Sequence, residues 1–142
     1  MNENVAIKVA DLYIRIPEMD DSNSELSYQN QLDRLKNYCV EKVLQIDRIL
    51  VDRGSARNFE RSQWSNYLTW IESERSSKSE SRFLLFTSWD RFSRNSAQAY
   101  KMVDHLENFR VFPKSLADQE PINMYRAMVL GCFAEPSIQS EN

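Results

Sequence analysis

Short runs dense in β-branched and aromatic residues alternate along this chain with segments of helical periodicity. That alternation restricts the fold to an α/β domain in which a mainly parallel central sheet is flanked by helices. Residues from about Val5 to Ile16 read as a first strand, buried on both faces for much of its length. Ser22-x-x-Glu25 forms a capping box, after which Tyr28, Leu32, Leu35, Cys39 and Val43 recur at helical spacing and predict a helix to about Glu41. Leu44 to Val51 reads as a second strand, and Asp52 to Glu60 as a polar loop holding Gly54, one of 2 glycines in the chain. Trp64, Tyr67, Leu68 and Ile71 mark a short helix with Trp70 at the flank of its buried face, followed by an exposed, mobile connection from Ser73 to Ser81. Phe83 to Thr87 is the third strand, and Ala99, Tyr100, Val103 and Leu106 stripe a helix from about Ser96 to Asn108. Val111-Phe112 reads as a short fourth strand cut off by Pro113. A last helix over Ile122 to Phe133 would turn Met124, Met128, Val129 and Cys132 toward the sheet or a second copy, with a polar tail from Pro136 to Asn142.

The 142 residues fit one domain spanning 1–142. With 18 basic and 21 acidic residues the net charge is −3, which excludes a free-standing nucleic-acid binder of the basic-patch kind. Any DNA contact is therefore local or shared with another domain. Cys39 and Cys132 lie far apart among helical apolar positions and read as buried free thiols. The single histidine, His105, sits on a charged helix face, so neither a transition-metal site nor a cofactor is expected. No segment reaches the roughly 18 apolar residues of a membrane span, and the polar start Met1-Asn2-Glu3-Asn4 lacks the features of a secretory signal. The expected location is the cytoplasm.

The chemistry concentrates in Ser88-Trp89-Asp90-Arg91-Phe92-Ser93-Arg94-Asn95, directly after the third strand. A carboxylate and two guanidiniums at a strand's carboxyl edge occupy the place where open α/β sheets build their sites. Permanently charged forks at Arg91 and Arg94 suit a phosphate. The first strand ends the same way, with Arg15 in Tyr13-Ile14-Arg15-Ile16.

Together with Asp52-Arg53-Gly54-Ser55 and Arg61, these segments resemble the catalytic domain of the serine recombinases, the resolvase and invertase family. The Tyr-x-Arg pattern falls on Tyr13 and Arg15, the Asp-x-x-Ser turn on Asp52 and Ser55, and the Asp-Arg-x-x-Arg motif on Asp90, Arg91 and Arg94. The resemblance implies site-specific DNA recombination, in a protein of mobile-element origin that works as a dimer or tetramer without metal. It implies that Arg15, Arg91 and Arg94 surround the scissile phosphate, that Arg61 corresponds to the family's catalytic arginine of the loop after the second strand, and that Asp90 orients the arginines or handles the proton of the leaving 3′ oxygen. Tyr13 reads either as a substrate-binding residue or as a core tyrosine with a satisfied hydroxyl, Asp52 and Ser55 as substrate-binding residues or turn caps, and Gln31 as a site glutamine or a helix-surface residue.

The chain departs from the family at one position. Where the family carries its nucleophilic serine, two residues after the strand-end arginine, this chain has Pro17, which offers neither hydroxyl nor backbone N–H. Cleavage is expected to be impaired, with Ser22 and Ser24 in the following segment as the alternative hydroxyls. Two alternatives stand beside this reading. One is a non-catalytic domain that keeps the fold for oligomer assembly; the other is an unrelated flavodoxin-like module, for which only the acidic pair Asp20-Asp21 speaks. The family's separate DNA-binding region is expected to lie outside residues 1–142.

Overall fold

A computed structural model describes residues 8–16, 21–54 and 61–117. Its elements in chain order are β1 (Val9–Ile16), α1 (Asp21–Lys42), β2 (Gln45–Arg53), α2 (Ser62–Glu74), β3 (Arg82–Phe86), the single turn α3 (Trp89–Phe92), α4 (Ser96–Glu107) and β4 (Val111–Ser115). The strands form one sheet in the order β2-β1-β3-β4, every neighbouring pair parallel. Among the described residues no helix is long and apolar enough to cross a membrane.

The central strand sorts its residues by pleat. Ala10, Leu12, Ile14 and Ile16 enter a core shared with Leu32, Leu35 and Cys39 of α1. The intervening Asp11, Tyr13 and Arg15 fall on the other face, and Tyr13 packs there with Trp64, Tyr67 and Ile71 of α2 and Phe92. Both faces are covered, so this polar set is buried. Asp11 receives Tyr67 Oη at 2.7 Å, Arg82 Nη1 at 2.9 Å and the amide of Arg48 at 3.2 Å, which ties α2 and three strands to one carboxylate.

Strand order also places a cleft. β1 pairs with β3 only from Val9 to Leu12, whereas its pairing with β2 continues to Ile16. The carboxyl half of β1 is therefore open on its β3 side, at the point where successive crossovers leave in opposite directions, the usual ligand position in such sheets.

Several expected boundaries move for identifiable reasons. Val43 does not pack in the α1 stripe; it is 84% exposed and has φ 57, so it ends the helix. Leu44 N donates to Cys39 O at 2.8 Å and Val43 N to Val40 O at 3.2 Å, the paired bonds of a Schellman cap. Pro113 does not cut β4 short, because β4 is an edge strand. Arg110 O accepts from Arg82 and Leu116 N donates to Phe86 O, so even-numbered residues face β3 and the missing N–H of Pro113 points away from the sheet. Helix α2 runs on to Glu74, and the exposed connection after it is anchored where Arg75 Nε donates to Phe109 O at 3.1 Å. The proposed helix over Ile122 to Phe133, with Met124, Met128, Val129 and Cys132, lies outside the described residues.

Candidate phosphate-binding site

Asp52, at the end of β2, acts as the cap of α2. The residue preceding that helix, Arg61, makes no side-chain cap bond. Instead Asp52 Oδ1 accepts from Gln63 N at 3.0 Å and Oδ2 from Trp64 N at 2.9 Å, a carboxylate set against the positive end of the helix. The same Oδ2 accepts from Tyr13 Oη at 3.3 Å, and Tyr13 Oη in turn accepts from Arg61 Nη1 at 2.8 Å. Burial above all, together with Asp52 and against the pull of Arg61, pushes the Tyr13 phenol well above its ordinary range. Tyr13 is thus a neutral bridge that holds the Arg61 guanidinium in place, a buried tyrosine with its hydroxyl satisfied.

Arg15 is the centre of the cluster and is only 2% exposed. Its Nη1 donates to the carbonyl of Gly54, whose φ of 104 is a conformation that favours glycine. Gly54 N returns a bond to Ile16 O at 2.9 Å, so the end of β1 and the turn after β2 are laced together. Nε and Nη2 of Arg15 have no partner among the described residues. Burial first, then the charges of Arg91, Arg61 and Arg94, depress the affinity of this guanidinium for its proton. No carboxylate forms a salt bridge with Arg15, Arg91 or Arg94 among the described residues. Arg15 is buried, Arg91 half-buried and Arg94 exposed, so positive charge extends from a desolvated guanidinium out to solvent, an arrangement that favours an anion.

The Asp90-Arg91-x-x-Arg94 segment starts from Ser88, where the chain leaves β3, and forms the turn α3. Ser88 Oγ donates to Asp90 Oδ1. That bond, opposed by burial and aided by Arg91 and Arg94, holds the Asp90 carboxyl below its ordinary range, so Asp90 is anionic and turned to its own loop. Gln31 is buried at 4% exposure, which removes the helix-surface reading; its Nε2 donates to Arg15 O at 3.0 Å and Ser27 Oγ at 3.1 Å. Ser24 is also buried. Pro17, Ser55 and the side chain of Ser22 lie outside the described residues.

Hydrogen bonds therefore join Tyr13, Asp52 and Arg61 in one chain and Arg15 with Gln31 in another, and the field of Arg91 and Arg94 reaches Arg15. Sequence reasoning did not anticipate the Gly54 carbonyl or the role of Asp52 as the cap of α2. The signal for Gly54 was present in the scarcity of glycine; the capping role needed the position of α2. Among the described residues no group of three or more His, Cys, Asp or Glu side chains is placed to hold a metal ion.

The model of the resolvase N-terminal domain family matches residues 10–135. Among solved structures, the N-terminal catalytic domain of TP901-1 integrase is similar at a TM-score of 0.69 and 19% identity, over 93% of this chain and 99% of that one. A resolvase family site-specific recombinase from Streptococcus pneumoniae gives 0.66 and 19%, over 94% of this chain and 93% of that one. The C-terminal catalytic domain of ISC1926 TnpA, an IS607-like serine recombinase, gives 0.63 and 19%, over 89% of this chain and 79% of that one. At these identities the shared feature is the fold. No curated protein matches the chain.

Proposed function

This chain belongs to the family of resolvase N-terminal domains, and from that premise we propose that it is a DNA-recombination domain of the serine recombinase type that holds a DNA phosphodiester and is impaired in cutting it. The observation that carries the reading is Arg15, buried, with two guanidinium nitrogens unpartnered among the described residues and with Arg61, Arg91 and Arg94 as its charged neighbours. A phosphodiester oxygen supplies both the missing acceptor and the missing negative charge. Preorganised guanidiniums of this kind stabilise the charge that grows on a phosphoryl group during transfer.

In this reading Arg15, Arg61, Arg91 and Arg94 bind the phosphate, and Tyr13, Asp52, Ser55 and Gln31 position them or the strand. Asp90 orients the arginine turn. Pro17 removes the attacking hydroxyl, and loss of a nucleophilic serine costs on the order of 10⁶ in rate in a hydrolase. The domain would act in the cytoplasm beside a separate DNA-binding region, as a homodimer or tetramer. That same proline favours the second reading, a resolvase-fold domain kept for assembly alone.

The test uses a chimera carrying a DNA-binding region and its cognate site. The chain as it stands is expected to bind the site and form no covalent protein–DNA adduct, whereas Pro17→Ser restores the hydroxyl and yields an adduct. An adduct formed by the unaltered chain and mapped to Ser22 or Ser24 would refute the impairment. No adduct from either version would favour the assembly reading.

A further inference from the structure

Beside the arginine cluster lies a cleft of about 540 Å³, bounded by one face of α1 and by the β3–α3 loop. Its α1 wall runs from Asn23 through Leu26, Asn30 and Gln31 to Arg34, about 16 Å along the axis at 1.5 Å per residue. Its opposite wall includes Arg91, a member of the phosphate-binding set. Two features of this wall are unexplained by folding. Leu26 is 59% exposed, an apolar side chain in a largely polar cleft. Gln31 is 4% exposed, and with its Nε2 committed to Arg15 O and Ser27 Oγ, its Oε1 has no partner among the described residues.

We infer that this cleft is a subsite for an unpaired nucleotide adjoining the phosphate held by the arginine cluster, with Asn30 and Gln31 reading the base edge and Arg34 meeting the next phosphate. The inference rests on the phosphate-binding reading above and deepens it. The Asn30 carboxamide presents a donor and an acceptor side by side, as a base edge does, and pairs with it in a plane, while Gln31, with its Nε2 hydrogens committed, adds only its Oε1 acceptor. Leu26 supplies apolar contact for a sugar or base face. Two arginines on the cleft, Arg91 on one wall and Arg34 on the other, suit a strand that carries phosphates on both sides of a nucleoside. A base still stacked in a duplex is not available to such a cleft, so the ligand is single-stranded or locally opened DNA.

The experiment measures equilibrium binding of three probes to the full chain at low salt: inorganic phosphate, a 5′-phosphorylated dinucleotide with two phosphates, and the same dinucleotide with its base removed at the position between them. The intact dinucleotide should bind roughly tenfold tighter than the abasic one, the yield of one or two net hydrogen bonds. Asn30→Ala should erase that preference and leave abasic binding unchanged, and Arg34→Ala should weaken both dinucleotides but not phosphate. Both residues are exposed on α1, and alanine sustains a helix, so the variants fold. Equal affinity for intact and abasic dinucleotide would overturn the subsite while leaving the phosphate site standing. Failure of all three probes to bind would overturn both.

Discussion

Replacing Arg15 by methionine should make this domain more stable and remove its affinity for phosphate. The guanidinium is 2% exposed, donates to the Gly54 carbonyl, and leaves two nitrogens unpartnered among the described residues beside three other arginines. Losing its bond to Gly54 costs about 1.5–3 kcal/mol. Against that stands the penalty of several kcal/mol for keeping an uncompensated ion out of water. Methionine is unbranched and adapts to the vacated channel. The expected net gain is about 1–2 kcal/mol, which in a chain of this size raises the melting temperature by about 3–6 °C per kcal/mol. Urea and thermal melts with and without inorganic phosphate measure both effects. Phosphate at about 100 times its dissociation constant should stabilise the unaltered chain by about 2.7 kcal/mol and leave Arg15→Met unmoved. A variant that loses more than about 2 kcal/mol while its phosphate-induced shift persists would show Arg15 to be a structural prop, and the anion-site argument would fail.

Val43→Gly should raise stability by about 1 kcal/mol, because a β-branched residue at φ 57 carries strain that glycine lacks, and the exposed side chain gives up little on removal; an unchanged urea midpoint would contradict this. Asp52→Ala removes two amide acceptors at the start of α2 and the acceptor of a buried phenol, and should cost about 2–4 kcal/mol in equilibrium unfolding, with weaker phosphate binding as Arg61 loses its support. For Asp11, burial raises the folded-state pKa above the ordinary 3.8 against the pull of Tyr67 and Arg82. The folded state therefore holds that proton more tightly, so the contribution is full below pH 3.8 and is lost as pH rises through the folded value. Urea midpoints followed upward from pH 3.8 should fall more steeply for the unaltered chain than for Asp11→Asn, and parallel curves would contradict the assignment.

Much of the architecture was legible because hydrophobic period and local spacing are properties of contiguous residues. The β-branched and aromatic run ending at Ile16 already marks a strand buried on both faces, and the Asp90-Arg91-x-x-Arg94 run already places charge after a strand. Errors came where a rule about one residue met a tertiary exception. Pro113 predicts a strand break, yet an outward-facing position on an edge strand needs no N–H. Val43 continued an apolar period by spacing alone, but the turn into β2 required a left-handed residue there.

The chain's own order determined the strands, the helices between them and the positions of the arginines at strand ends. It did not determine what those arginines experience. Arg15 lies 46 residues from Arg61 and 76 from Arg91, and only the parallel sheet, with β1 between β2 and β3, brings their charges to bear on it. Burial and electrostatic repulsion depend on distance through space and on the exclusion of water, neither of which is written in local spacing. For the same reason Asp52 could be seen as a turn residue but not as the cap of a helix that begins at Ser62, and Gln31 as a helical glutamine but not as the donor to the carbonyl of Arg15.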